Sequence, residues 1–150
     1  MWMYHALKVV DLMETLFFIL RKKNNQVSFL HVYHHAGMVL HTALYAKFGP
    51  GTHTVVAGSL NCLVHTVMYC YYFMTHMWPE YNHKLWWKKH VTHVQMFQFF
   101  LLMLQNLPTI LWKDCQYPVI LGGELFIQNC VLFTLFANFY VKAYLKKKSV

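Results

Sequence analysis

Charged residues and helix breakers are scarce in this 150-residue chain. Only 12% of its residues are charged, whereas soluble globular domains average about a quarter. Six glycines and four prolines leave long apolar stretches uninterrupted, and hydrophobic residues reach 57%. The four cysteines show neither the paired spacing of a zinc site nor that of a redox motif. These shortages argue against an ordinary soluble domain and favour a membrane protein with several spans.

Apolar residues collect in five windows, each close to the ~20 residues that a bilayer-spanning helix needs. The breaks between the windows carry basic residues, glycine or proline, which signal turns and membrane surfaces. The sequence therefore predicts an all-α fold, a single polytopic membrane bundle over residues 1–150. The third break is expected to extend from Trp78 to Lys89. The expected spans are about Trp2 to Leu20, Val27 to Phe48, Thr52 to Met77, Val91 to Trp112 and Val119 to Tyr144.

Basic residues lie mainly on one side of this predicted membrane. If successive breaks, and then the C-terminal tail, lie on alternate sides of the membrane, one side holds ten basic residues and the other holds only Lys47 and Lys113. The positive-inside rule then places the richer side, and with it the C-terminus, in the cytosol. The ten basic residues of that side are Arg21, Lys22, Lys23, Lys84, Lys88, Lys89, Lys142, Lys146, Lys147 and Lys148.

The net charge of +8 has a membrane explanation. The basic residues stand at helix ends instead of along one soluble face, so the expected partner is the lipid bilayer and not nucleic acid. Lys147 and Lys148 lie fourth and third from the end of the chain and resemble a dilysine signal. The sequence therefore predicts a multi-pass protein of the endoplasmic reticulum membrane.

Three imidazoles stand within five residues of the second predicted span. His31, His34 and His35 share one helix face, because positions i, i+3 and i+4 are neighbours on a helix. Titratable side chains are costly in hydrocarbon unless they face a protein interior or a water-filled cavity. The cluster therefore predicts a functional site. The alternative is that the histidines only form hydrogen bonds between helices.

Polar faces also mark the third and fourth spans. In the third, Asn61, His65, Met68 and Tyr72 recur at helical spacing with Tyr69 beside them, which predicts a hydrogen-bonded cavity. In the fourth, Thr92, Gln95 and Gln98 are spaced by three. Amides inside a span can also serve only as links between helices.

The first span carries an unusual group of charges. Lys8, Asp11 and Glu14 follow one another at spacing three, and Thr15 adjoins them. A lysine with two carboxylates can neutralise itself inside the membrane. A structural ion cluster and a substrate-positioning cluster therefore both stay open.

Two other chemistries were weighed for the polar residues. The pattern His-x-x-His-His also occurs in membrane di-iron desaturases and hydroxylases, but one such box supplies too few ligands for two irons. No metal and no other cofactor is therefore expected. Cys62 lies three residues before His65, so a Cys/His pair on one helix face is a minor alternative for the nucleophile.

The same residues resemble, motif by motif, the elongases of very long chain fatty acids. The family's His-x-x-His-His box matches His31 to His35, and its His-x-x-Met-Tyr-x-Tyr-Tyr box matches His65 to Tyr72. Its Thr-x-x-Gln-x-x-Gln box matches Thr92 to Gln98. Its Lys-x-x-Glu-x-x-Asp-Thr box has the two acids exchanged here, at Asp11 and Glu14.

The resemblance implies a seven-helix architecture of which this chain matches only the part from the third span onward. We therefore expect the first two spans to be missing, as in a fragment, a short isoform or a truncated gene model. The apolar helix faces are expected to form a tunnel for the acyl chain. Without two of its helices the tunnel would be open, which would leave the chain inactive, unstable or oligomeric. One alternative function is an inactive chain that associates with full-length elongases. A channel or transporter is a weaker alternative, because the polar residues cluster near one depth.

The activity that the resemblance implies is a 3-oxoacyl-CoA synthase, which condenses a long acyl-CoA with malonyl-CoA in the first step of microsomal elongation. The favoured mechanism is an acyl-imidazole on His34, with His65 beside it. His31 and His35 then orient or stabilise, and the rival mechanism uses the box only as a base. Other elongases and the reductase and dehydratase of the cycle are expected partners. Substrate contacts are assigned to Lys8, Asp11, Glu14, Asn61, Tyr69, Tyr72, Gln95 and Gln98.

Overall fold

In the part of the chain that the structure describes, five long helices form the fold, and the all-α prediction is confirmed. The computed structural model describes residues 1–22, 27–49, 51–78, 85–112, 115 and 117–146, and no strand occurs among them. A π-helical turn, Val141–Leu145, continues the last helix. The helices are α1 (Trp2–Leu20), α2 (Phe29–Phe48), α3 (Thr52–Met77), α4 (Leu85–Leu111) and α5 (Val119–Tyr140).

The ends of α1 and α2 follow from local chemistry. Lys22, just past α1, has a φ of 56°, a left-handed conformation that often terminates helices. At the start of α2, the Ser28 hydroxyl accepts a hydrogen bond from the His31 N–H at 3.2 Å. Serine favours this N-cap position because it satisfies an amide that the helix itself cannot. The cap places the three histidines in the first two turns of α2.

Helix α4 corrects the prediction for the third break. It begins at Leu85, six residues before the expected start at Val91, so Lys88 and Lys89 are helical. Lysine is a good helix former, and its long stem lets the ammonium stay at a membrane surface while the helix continues. Pro108 lies inside α4, where it removes one backbone donor, a feature that membrane helices tolerate.

Two helical stretches, Trp87–Leu111 and Val119–Leu145, are long and apolar enough to cross a membrane. Both coincide with predicted spans, which is consistent with an all-α membrane bundle. The other three expected spans, α1 to α3, carry the ion cluster, the histidines and most of the hydroxyl groups. Those polar residues lower the average apolarity of their helices.

The contacts between residues divide the chain into two compact units, residues 1–58 and 59–150. In the first unit, α1 and α2 form an antiparallel hairpin: His5 contacts Thr42 near one end, and Thr15 contacts His31 near the other. In the second unit, α4 and α5 form another. Its contacting pairs are His93 with Tyr140, Phe99 with Phe136, Met103 with Cys130 and Thr109 with Gly122.

Some predictions fall outside the described residues. The dilysine signal at Lys147 and Lys148 is one of them, as are Lys23, Lys84 and Lys113. The single-domain prediction and the assignment of cytosolic and lumenal sides stay predictions.

Candidate functional site

The ring of His31 is held on three sides within the α1–α2 hairpin. Its Nε2 lies 3.0 Å from the Thr15 hydroxyl oxygen of α1. Its ring centroid lies 5.6 Å from that of Phe18 and 4.3 Å from that of His35. A ring fixed by a hydrogen bond and two ring contacts has little rotational freedom, which suits a supporting role.

His34 and His35 complete the histidine box. Their ring centroids are 5.4 Å apart, and the two rings are almost perpendicular, at 80°. His35 is near enough to α1 to interact with the charges of Lys8 and Asp11 and with the Asp11 backbone. The structure thus brings all three histidines together and joins them to the ion cluster of α1.

The ion cluster of α1 centres on one pair. Lys8 is only 5% exposed, and its Nζ lies 2.9 Å from Asp11 Oδ2. The same ammonium lies 5.2 Å from the centroid of the Tyr4 ring. Glu14, three residues beyond Asp11, is half-buried. Because Asp11 neutralises Lys8 directly, the structural interpretation of this cluster gains support, and the proximity of both residues to His35 leaves a substrate role open.

A second group of predicted site residues lies in the unit of residues 59–150, on α3. Asn61 is buried, at 4% exposure. The His65 ring centroid lies 5.9 Å from that of Tyr69, which lies 6.4 Å from that of Tyr72. Both tyrosines are exposed. The structure therefore groups His65 with the tyrosines of its box along one helix.

The amides of α4 are linked to that group. Gln95 Nε2 donates to Met68 Sδ at 3.4 Å, which connects the third-span and fourth-span motifs. Gln98 is buried, at 3% exposure. Thr92 turns back on its own helix and donates to the Lys88 carbonyl at 3.2 Å. Gln95 thus joins α4 to α3 through this hydrogen bond.

A di-iron site and a cysteine nucleophile are the two alternative chemistries, and each needs particular side chains. Among the described residues, no group of three or more His, Cys, Asp or Glu side chains is arranged to hold a metal ion. Cys62 is an exposed free thiol on α3. The thiol alternative stays open, and the absence of a metal stays a prediction.

Sequence reasoning missed the partners of the histidines. The sequence indicates no role for Thr15 beyond its place beside Glu14, and it does not predict the 2.9 Å hydrogen bond between His5 and Thr42. A signal for His5 existed, because it lies three residues before Lys8 and therefore on the same helix face. Nothing in the sequence identifies its partner, because the register between two helices is a tertiary property.

The chain is similar to known proteins over nearly its whole length. The family described as GNS1/SUR4, ELO, matches residues 1–150. Very long chain fatty acid elongase 5 of Xenopus tropicalis is 40% identical over 152 residues, covering 99% of this chain and 50% of that protein. Very long chain fatty acid elongase 7 of Rattus norvegicus is 42% identical over 147 residues, covering 97% of this chain and 52% of that protein. The chain spans about half the length of the curated relatives it matches.

Proposed function

The chain belongs to the ELO family, GNS1/SUR4, and on that premise we propose that it acts in fatty acid elongation as a 3-oxoacyl-CoA synthase. The relatives named above are very long chain fatty acid elongases. The observation that carries the proposal is the packing of three imidazoles in two turns of α2, supported by Thr15 and the ion pair of α1. Imidazole suits acyl transfer because it serves as a base or a nucleophile near neutral pH.

In the proposed reaction, a ring nitrogen of His34 attacks the thioester carbonyl of acyl-CoA. A carbon–nitrogen bond forms, the carbon–sulfur bond breaks, and coenzyme A leaves as the thiol. Malonyl-CoA then loses carbon dioxide, and the electron pair left on its α-carbon attacks the acyl carbonyl. The acyl–nitrogen bond breaks, which releases a 3-oxoacyl-CoA two carbons longer, and the ring nitrogen takes up one proton from water, which regenerates neutral His34. Splitting the condensation into two steps is the general advantage of covalent catalysis.

The surroundings of the histidine box support separate roles for its histidines. His31 is bonded to Thr15 of α1 and His35 packs on His31, so we assign them to orientation and to stabilisation of the developing oxyanion. The amino-terminal end of α2 carries partial positive charge, which favours negative charge that develops nearby. The family motif assigns His65 as the second histidine of the reaction. Gln95, Gln98, Asn61 and Tyr69 are proposed to position the substrates.

The direct test is condensation by purified protein in liposomes, with acyl-CoA and radiolabelled malonyl-CoA. In a full-length context, with the two expected upstream spans restored, we expect labelled 3-oxoacyl-CoA from the wild type and at least a ~100-fold loss in His34→Ala, as for the removal of a general base or nucleophile. His41→Ala is the matched control, since His41 lies on α2 outside the box and its ring bonds the Gly37 carbonyl. Equal activity in wild type and His34→Ala would remove His34 from the reaction.

We also propose that the protein resides in the endoplasmic reticulum membrane with a cytosolic C-terminus. The basic residues on the predicted cytosolic side support this orientation. A glycosylation acceptor inserted beside Gly49 should be modified, and one inserted after Trp78 should not. The reverse pattern would overturn the orientation.

A further inference from the structure

Two hydrogen bonds of the same chemical kind join α1 to α2. Thr15 Oγ1 lies 3.0 Å from His31 Nε2, and Thr42 Oγ1 lies 2.9 Å from His5 Nδ1. Each pairs a buried threonine with a histidine of the other helix, since Thr15 is 7% exposed and Thr42 is 4% exposed. The two bonds differ in where the hydroxyl proton goes.

The Thr42 hydroxyl proton is already used within its own helix. Thr42 Oγ1 donates to the Met38 carbonyl at 2.7 Å, a bond between residues four apart. A hydroxyl has one proton, so Thr42 accepts from His5, whose proton is on Nδ1. This bond therefore links two helices and leaves no choice of donor.

The Thr15 hydroxyl has a different set of partners. Within the described residues its hydrogen bond is to His31 Nε2. A buried hydroxyl that donates to nothing loses the hydrogen bond that it made to water, which is unfavourable. Thr15 therefore donates its proton to Nε2, and the neutral imidazole of His31 carries its own proton on Nδ1.

We infer that Thr15 is a positioning residue of the histidine box, which holds His31 as the neutral tautomer with Nε2 unprotonated. This inference rests on the proposed function. Thr15 fixes the angle of the His31 ring, which lies 4.3 Å from His35, and His35 in turn meets His34 at 5.4 Å. With Nε2 occupied by Thr15, His31 supports the reaction through the arrangement of its neighbours and does not attack the thioester through that atom.

The kinetic test compares three variants of the reconstituted protein. Thr15→Val should lower kcat about 10- to 100-fold with little change in KM, as loss of a group that orients a reactive side chain does. Thr15→Ser, which keeps the hydroxyl, should restore most of kcat. Thr42→Val loses the equivalent bond between the same helices and should keep kcat within about twofold. A Thr15→Val enzyme with wild-type kcat, or equal losses in Thr15→Val and Thr42→Val, would overturn the inference.

A second readout does not depend on activity. In protein labelled with nitrogen-15 histidine, the His31 ring signals can be assigned by their disappearance in His31→Gln. We expect an unprotonated, hydrogen-bonded Nε2 in the wild type and a mixture of tautomers in Thr15→Val. A protonated Nε2 in the wild type would overturn the inference. A wild type that condenses nothing yet shows the expected Nε2 signal would refute the proposed function and support the role of Thr15 in holding the ring.

Discussion

The two helix hairpins differ in the hydrogen-bond partners of their buried polar side chains. In α1–α2, polar side chains reach across to the other helix: Thr15 bonds His31, and His5 bonds Thr42. In α4–α5, they turn back on their own helix. Asn106 donates to the Leu102 carbonyl, Thr109 to the Asn106 carbonyl and Asn129 to the Leu125 carbonyl, each at 2.7 Å.

The difference shows that a polar residue inside a span does not by itself indicate a site. The α4–α5 hairpin is joined by ring packing, with the Phe99 and Phe136 ring centroids 5.2 Å apart, and by a weak hydrogen bond that Cys130 Sγ donates to Met103 Sδ at 3.3 Å. The α1–α2 hairpin is joined through titratable groups. In that hairpin, the bonds of Thr15 with His31 and of His5 with Thr42 depend on how the two helices are paired.

The largest expected effect concerns the ion pair of the histidine hairpin. Asp11→Asn leaves the buried Lys8 ammonium without its carboxylate, 2.9 Å away in the wild type. We expect the free energy of unfolding to fall by about 3 to 5 kcal/mol, the usual result of removing one partner from a buried pair. Thermal unfolding in detergent measures the loss. The double variant Lys8→Met, Asp11→Leu should recover most of it, and an Asp11→Asn variant as stable as wild type would show that the pair is not needed.

The next largest effect is expected from a substitution that disturbs packing in the α4–α5 hairpin. A Cβ on Gly122 would collide with the Thr109 side chain, coming within 2.7 Å of its Cβ. Gly122→Ala should therefore reduce stability by about 1 to 3 kcal/mol, as overpacking does. Gly123→Ala is the matched control, because a Cβ there meets nothing within 4 Å. It should be neutral or raise stability by up to ~1 kcal/mol, since alanine is the better helix former. Equal effects at the two glycines would contradict close packing of α4 on α5.

The smallest expected effect comes from replacing a threonine by valine in each hairpin and comparing the two losses of stability. Thr42→Val removes the partner of His5 across the helix pair and should lower stability by about 1 kcal/mol. Thr109→Val, at a position that is 0% exposed, removes only a bond to its own helix and should change stability by less than ~0.5 kcal/mol. Differential thermal unfolding of the two variants measures the contrast. A larger loss at Thr109 would reverse the distinction between the hairpins.

Helix positions and the histidine box were predictable from sequence because both depend on local periodicity. The bounds of α1 and α3 agree with the expected spans, and His31, His34 and His35 do pack together. The early start of α4 was not predictable from apolarity, since the lysines at a membrane surface interrupt the apolar pattern and not the helix. The pairing of Thr15 with His31 depends on the register of α1 against α2, which no local pattern specifies.

The acyl group itself gives the most direct test of where the chemistry occurs. Purified wild-type protein is incubated with acyl-CoA in the absence of malonyl-CoA, quenched, digested and analysed by mass spectrometry, with His34→Ala alongside. The account predicts an acyl adduct on His34, in the first turns of α2, and its loss in the variant. An adduct on Cys62, retained in His34→Ala, would contradict the account and assign the reaction to the thiol of α3.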